Sequence, residues 1–135
     1  MMNEPLSSIM TRDVITADQD DSLSVARNIF LRNKVHHLPI VRSGRLVGIL
    51  TTYDLFKLNG AHGKNYEDLT IKDVMTTHIA TLEPEDKIGS AAELFLENLF
   101  HAVPIVKDGA LQGIVTSFDV IKYEFTKEYP TQMIK

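Results

Sequence analysis

The first half of the chain passes from extended to helical spacing of its apolar residues. Val14-Ile15-Thr16 is a short stretch of residues that favour β-structure. Asp20, Asp21 and Ser22 follow, and such residues cap helix N-termini. The next apolar residues recur at i, i+3, i+6 and i+7 and so share one helical face; they are Leu23, Ala26, Ile29 and Phe30. The pattern predicts a strand and then an amphipathic helix.

Two almost wholly apolar runs come next and predict a β-hairpin. They cover 38–41 and 46–50 and are separated by Arg42-Ser43-Gly44-Arg45, in which Gly44 can adopt a positive φ. Because these runs are apolar on both faces, we expect the strands to be buried beneath helices. Thr51 or Thr52 can then cap a second helix that runs through Leu58. The predicted order is β-α-β-β-α.

The whole pattern occurs twice, 65 residues apart. Leu6–Leu58 aligns with Ile71–Tyr123 without insertion or deletion, and 19 of the 53 positions are identical. In the second copy we expect β-structure over 79–81, a helix over 86–99, strands over 103–107 and 111–115, and a helix from Thr116 as far as Tyr129. A unit of about 50 residues buries too little surface to be stable alone, so the copies should share a core about a pseudo-twofold axis. The predicted fold class is α+β (α/β-like), with small mixed sheets covered by helices.

Composition narrows the classes of function. The 135 residues are 44% hydrophobic and 24% charged, as in an ordinary globular protein. The absence of cysteine excludes disulfides and thiolate zinc sites. With a net charge of −4 and no block of Lys or Arg, we expect no nucleic-acid partner. Neither a signal peptide nor a run of about 18 apolar residues is present, so we expect a cytoplasmic protein without a membrane partner.

The second strand of each hairpin runs into the pattern Gly-Ile-x-Thr-x-x-Asp, at 48–54 and at 113–119. A strand that enters a helix here aims a hydroxyl, a carboxylate and backbone N–H groups at one small volume. A helix start suits phosphate, and a carboxylate suits a pair of sugar hydroxyls. The same residues also match a capping box, which would stabilise the helix without any ligand. The sequence leaves both interpretations open.

A histidine precedes the first hairpin strand in both copies, as His36 and as His101. Two imidazoles near a pseudo-twofold axis could meet one anion or line two sites. Alternatively, each histidine caps the end of the preceding helix. Metal binding is disfavoured because no third ligand is marked. An enzyme is disfavoured because no nucleophile, base and orienting group can be named together, so we expect no catalytic residues.

Three repeated segments together resemble a tandem cystathionine-β-synthase (CBS) domain pair, or Bateman module. They are Ile9-Met10-Thr11 with Val74-Met75-Thr76, the pattern His-x-hydrophobic-Pro-hydrophobic-Val, and Gly-Ile-x-Thr-x-x-Asp. The resemblance divides the chain into repeat 1 (1–58), a linker (59–68), and repeat 2 with the tail (69–135). It implies a non-catalytic regulatory module that binds AMP, ADP, ATP or S-adenosylmethionine in clefts between the repeats. It also implies a homodimer that signals to an effector protein. The alternative is a structural dimerisation module with no ligand.

The resemblance also assigns candidate residues for the adenosyl ligand. Asp54 and Asp119 match the residue that holds ribose hydroxyls, and Thr51 and Thr116 match its hydroxyl partner. The residues expected around the adenine are Thr16, Leu38, Pro39, Thr81, Val103 and Pro104. Those expected near phosphates are His36 and His101 with their neighbours His37 and Ala102. No metal site and no cofactor besides this regulatory ligand are implied.

The chain departs from the family pattern between Thr and Asp, where relatives often carry a charged residue. These positions hold Thr52-Tyr53 and Ser117-Phe118. The two aromatic rings could stack on a base or pack, and we expect packing. The copies also differ in charge. Copy one has basic residues at Lys34, His37 and Arg45, where copy two has Leu99, Ala102 and Ala110. We therefore expect the cleft served by Lys34 and His37 to hold the more phosphorylated ligand.

Overall fold

The computed structural model describes residues 2–58, 66–98 and 100–130, and the chain divides into two compact units. One unit is Ile15–Ile79, which we call the Asp54 unit. The other combines Met1–Val14 with Ala80–Lys135, and we call it the Asp119 unit. Most of the predicted linker (59–65) and residue Leu99 lie outside the described residues.

Each unit contains one helix-strand-strand-helix sequence, which confirms the predicted order of these elements. In the Asp54 unit the elements are α1 (Leu23–Asn33), β1 (His37–Arg42), β2 (Arg45–Thr51) and α2 (Thr52–Leu58). In the Asp119 unit they are α3 (Ile88–Asn98), β3 (Ala102–Lys107), β4 (Ala110–Thr116) and α4 (Ser117–Glu128). Short 3₁₀-helices cover Leu6–Ser8, Tyr66–Asp68 and Ile71–Asp73. None of the helices in the described ranges is long and apolar enough to cross a bilayer.

The first predicted β element of each copy, over 14–16 and 79–81, is not formed, and only the residue that follows it makes a single bridge. Ala17 pairs in parallel with Ile40, and Leu82 pairs in parallel with Ile105. Since β1 with β2 and β3 with β4 pair antiparallel, each unit has a small mixed arrangement of parallel and antiparallel pairs. The α+β class is therefore confirmed.

Both hairpins turn through two residues of positive φ. The angles are 52° and 80° at Ser43 and Gly44, and 52° and 84° at Asp108 and Gly109. Two successive positive φ values define a type I′ turn, whose twist matches that of the strands it joins. The turn pairs Arg42 with Arg45, and a β-bulge between Ile40 and Val41 then shifts the register so that His37 pairs with Thr51. An equivalent bulge between Ile105 and Val106 lets Ala102 pair with Thr116. Both motifs therefore end at the same place in their hairpins.

Each unit joins the hairpin of one repeat to the lead-in segment of the other. In the Asp119 unit, the N–H of Thr11 donates to the carbonyl of Ile114 at 2.9 Å and the reverse bond is 3.0 Å. In the Asp54 unit, Thr76 and Ile49 exchange the same two bonds, both at 2.9 Å. The compact units therefore do not follow the repeat boundaries that the sequence suggests.

The lead-in segments also complete the two cores. Leu6 is fully buried in the core of the Asp119 unit, together with Ile88 and Val115. Ile71 is fully buried in the core of the Asp54 unit. Met10 is also buried in the core of the Asp119 unit. Exchange of the lead-in segments thus supplies each core with apolar side chains from both repeats.

Candidate functional site

Both Gly-Ile-x-Thr-x-x-Asp segments form capping boxes at the start of a helix. The N–H of Asp54 donates to Thr51 Oγ1 at 3.2 Å, and the N–H of Thr51 donates to Asp54 Oδ2 at 2.9 Å. The corresponding distances for Asp119 and Thr116 are 3.2 Å and 2.8 Å. The structural role that the sequence left open is therefore present in both copies.

The capping bonds use only part of the hydrogen-bonding capacity of the two carboxylates. Each box uses one oxygen, Oδ2, whereas an ionised carboxylate can accept about four hydrogen bonds through two oxygens. The Asp54 and Asp119 side chains are half-buried, so part of each remains accessible. A cap and a contact with ribose hydroxyls are compatible in one residue.

The backbone ties each histidine to the start of the helix that carries the aspartate. The carbonyl of His36 accepts a hydrogen bond from the N–H of Thr52 at 3.1 Å, and that of His101 accepts one from Ser117 at 3.0 Å. Both histidines are exposed. Among the described residues neither imidazole has a hydrogen-bond or ion-pair partner, so the alternative role as a helix cap is not formed there. Each unit therefore has an exposed histidine whose backbone is bonded to the start of the helix that carries the aspartate.

The residues expected around the adenine differ in accessibility. Four of them are less than 2% exposed: Leu38, Pro39, Val103 and Pro104. These four residues are therefore not accessible to a ligand in this structure. Thr16 is half-buried and Thr81 is exposed, and each precedes the parallel bridge of its unit. Ala102 is half-buried at the start of β3.

The hairpin register separates the basic residues of copy one. Lys34 ends α1 in the left-handed conformation, with φ of 53°, and it is exposed. His37 starts β1 and faces Thr51 across the hairpin. Arg45 pairs with Arg42 beside the turn. At about 3.3 Å per residue, Arg45 is about 20 Å along β2 from Thr51, so it cannot contribute to a site at the capping box.

The prediction that Tyr53 and Phe118 pack is wrong. Their exposed fractions are 63% and 67%. Each lies in the first turn of its helix, two residues before the buried apolar residue, Leu55 or Val120. That spacing turns the ring away from the core of its own unit because residues two apart do not share a helical face.

A cavity of about 640 Å³ lies within the Asp119 unit, between the lead-in segment and helix α4. Its walls are formed by Ser8, Ile9, Thr11, Asp119, Lys122, Tyr123, Thr126, Lys127 and Pro130. Among these, only Asp119 was predicted as a site residue. The helical period offers a signal for Lys122, since it follows Asp119 by three residues and so shares a face of α4.

Two of the side chains that line this cavity, Tyr123 and Lys127, also contact Glu4. The Glu4 carboxylate accepts hydrogen bonds from the Tyr123 hydroxyl and from Lys127 Nζ. These two donors, Lys127 first, lower the pKa of Glu4 to about 2. The same contacts raise the pKa of Lys127 and that of Tyr123. The charge of Lys127 is therefore matched by Glu4.

Metal binding finds no support in the described part of the chain. Over residues 2–58, 66–98 and 100–130, no three His, Asp or Glu side chains lie close enough to hold one ion.

Comparison with known proteins identifies the family. The CBS domain model matches twice, at residues 6–60 and 71–125. The chain belongs to the CBS domain family. It is 33% identical to protein MJ1225 of Methanocaldococcus jannaschii over 132 residues, which cover 90% of this chain and 47% of that protein. The crystal structure of MJ1225 superposes with a TM-score of 0.84 over 91% of this chain and 48% of that one.

Two further structures of CBS proteins contain adenosyl compounds. The CBS domain pair of protein MJ0100, in complex with 5′-methylthioadenosine and S-adenosyl-L-methionine, has 30% identity and a TM-score of 0.82, over 93% of this chain and 98% of that one. CBSX2 in complex with AMP has 26% identity and a TM-score of 0.83, over 93% of this chain and 98% of that one. Among curated relatives, the chain spans 47% of MJ1225 and 23% of the homoserine O-acetyltransferase of Methanohalobium evestigatum, so it covers less than half of either.

Proposed function

We propose that this CBS pair is a non-catalytic regulatory module that binds adenosyl compounds at its Thr-x-x-Asp motifs. The observation that carries the proposal is the position of Asp119, which caps α4 and also lines a cavity of about 640 Å³. Sites for small molecules commonly have volumes of about 300–1,000 Å³. A carboxylate with only a capping role would not need a cavity beside it.

The ligands of related proteins support the choice of an adenosyl compound. The MJ0100 pair and CBSX2 were solved with three such compounds between them. What these compounds share is adenine and a ribose with two hydroxyls. A carboxylate that accepts from both hydroxyls would recognise that shared part, and we assign this role to Asp54 and Asp119. Thr51 and Thr116 would stand beside it, with His36 and His101 near the 5′ substituent.

Regulation requires that the ligand favours one of two states of the module. A ligand shifts such an equilibrium only by its difference in affinity for the two states. We propose that the output is a change in association with an effector protein. In this account the module itself breaks no bond.

We further propose that two copies pair through α2 and α4. Each helix exposes large apolar side chains at the same repeat positions, with exposed fractions of 63% and 74% for Tyr53 and Phe56, and 67% and 65% for Phe118 and Ile121. Exposed apolar side chains that cluster on an element often mark an interface between proteins. Sedimentation equilibrium of Phe56→Ser and Ile121→Ser tests this pairing. We expect monomers, and an unchanged mass would refute the pairing.

Isothermal titration calorimetry tests the ligand proposal. We expect AMP, ADP, ATP or S-adenosylmethionine to release heat and to raise the melting temperature, whereas GMP, which shares the ribose and phosphate, serves as the control for the base. Mass spectrometry of the protein after mild denaturation would identify any ligand that co-purifies. If none of the four compounds gives heat or a thermal shift at millimolar concentration, the module is the structural, ligand-free alternative.

A further inference from the structure

The cavity of the Asp119 unit is lined by a positively charged side chain that takes no part in the proposed ribose contact. Two lysines line the cavity, Lys122 and Lys127. Lys127 is paired with Glu4. Within the described residues, Lys122 has no ion-pair partner, although it is exposed on the same face of α4 as Asp119. The ammonium of Lys122 is therefore available to a ligand.

The hydroxyl groups that line the cavity also differ in whether they already have a hydrogen-bond partner. Ser8 Oγ donates to the carbonyl of Pro5 at 2.7 Å, and Thr126 Oγ1 donates to the carbonyl of Lys122 at 2.7 Å. Thr11 also lines the cavity, and its side chain makes no such bond within the described residues. Two hydrogen-bond donors, the Lys122 ammonium and the Thr11 hydroxyl, thus remain for an anion.

The corresponding lysine of the Asp54 unit is in a different environment. Lys57 aligns with Lys122 in the repeat and is identical to it. Its Nζ lies 5.0 Å from the centroid of the Tyr53 ring, where the aromatic face attracts the charge. Position 73, which aligns with Ser8, is an aspartate whose carboxylate accepts from the N–H of Thr70. Where the cavity of the Asp119 unit is lined by a serine, the repeat therefore has an acid in the Asp54 unit.

We propose that Lys122, with Thr11, binds the phosphate at the 5′ position of the nucleotide whose ribose is held by Asp119. This assignment rests on the proposed adenosyl function and extends it to a preference. The Asp119 unit prefers phosphorylated adenosyl compounds to uncharged ones. From the sequence we expected the more phosphorylated ligand in the cleft served by Lys34 and His37.

The test compares AMP with adenosine, which lacks the phosphate, in two matched variants. Lys122→Gln removes the ammonium of the cavity, and Lys57→Gln removes its counterpart outside the cavity. A hydrogen bond to a charged group is worth a factor of about ten or more in affinity. By calorimetry we expect Lys122→Gln to weaken AMP about tenfold and adenosine less than about twofold. We expect Lys57→Gln to change neither.

Circular dichroism and melting temperature would first establish that both variants remain folded. If the wild-type protein binds neither AMP nor adenosine, the proposed function and this assignment fail together. If the wild-type protein binds them but Lys122→Gln weakens both equally, or neither, only the assignment of Lys122 fails. An equal loss of AMP affinity in Lys57→Gln would also overturn it. Thr11→Val, which removes the second donor, should weaken AMP about threefold.

Discussion

The Asp54 unit and the Asp119 unit contain the same motif with the same local geometry, but their surroundings differ. The N–H of Thr51 and that of Thr116 donate to the capping carboxylates at 2.9 Å and 2.8 Å. Yet the identical lysines that follow are in different places, because Lys57 is stacked on Tyr53 and Lys122 lines a cavity. The motif determines the local backbone, whereas the residues outside it determine what the carboxylate can bind.

A second difference lies at the motif glycines. A Cβ built at Gly113 would stand 2.7 Å from the carbonyl oxygen of Thr11 and 2.9 Å from Met10 Sδ. The three atoms nearest to a Cβ built at Gly48 all belong to the side chain of Met75. A flexible side chain can move aside, but a carbonyl oxygen held in a backbone bridge to Ile114 cannot do so easily.

The glycine pair should give the largest effect on stability. We expect Gly113→Ala to lower the free energy of unfolding by about 3 kcal/mol, and Gly48→Ala to lower it by about 1 kcal/mol, because overpacking is costly where the neighbour cannot yield. Urea unfolding followed by circular dichroism measures both. Equal losses of unfolding free energy in the two variants would contradict this expectation, because they would show that both lead-in segments can move aside equally well.

The capping boxes should give an intermediate effect that is the same in both units. Thr51→Ala and Thr116→Ala each remove the oxygen that accepts the N–H of the aspartate. We expect each to cost about 1 kcal/mol of unfolding free energy, as is typical for the loss of an N-cap. Measured losses that differ by more than about 1 kcal/mol would mean that the two caps are not equivalent.

The Glu4 cluster should give the smallest effect, and it should depend on pH. The aligned position in the Asp54 unit is Leu69, which cannot titrate. Because contacts in the folded state lower the pKa of Glu4 from 4.5 to about 2, its ionised form contributes stability above pH 4.5. That contribution is lost as the pH falls toward 2.

Glu4→Gln checks this expectation. We expect the wild type to exceed the variant in unfolding free energy at pH 6, and the difference to shrink between pH 4.5 and 2. The effect should be modest because both Glu4 and Lys127 are substantially exposed. A difference that stays constant over this range would contradict the assigned role of the carboxylate.

The sequence predicts most of the fold because the determinants are local. The helical stripe that includes Leu23 and Phe30 and the turn at Asp108-Gly109 specify their own elements. The bridge at Ala17 could not be predicted as one residue long, since its partner Ile40 is distant in the chain. Nor could the exchange of lead-in segments be predicted, because Met10-Thr11 and Met75-Thr76 are alike and fit either hairpin by pattern alone.

The candidate site is less predictable than the fold. The sequence points to Asp119 because its motif is repeated, and it could have pointed to Lys122 through the helical period. It does not indicate the cavity, which depends on how the lead-in residues Ser8 and Thr11 lie against α4. Nor does the number of basic residues in a copy indicate the charge of its site, since Arg45 lies by the turn.

The central claim is that the aspartates bind a ligand in addition to capping a helix. Calorimetric titration of AMP into the wild type, Asp54→Asn and Asp119→Asn tests it most directly, because asparagine also caps helices well. Both variants should keep the unfolding free energy to within about 0.5 kcal/mol. We predict that Asp119→Asn weakens AMP more than about tenfold, because the amide replaces a charged acceptor for the ribose hydroxyls. Unchanged AMP affinity in both folded variants would contradict the account and leave the two motifs as helix caps alone.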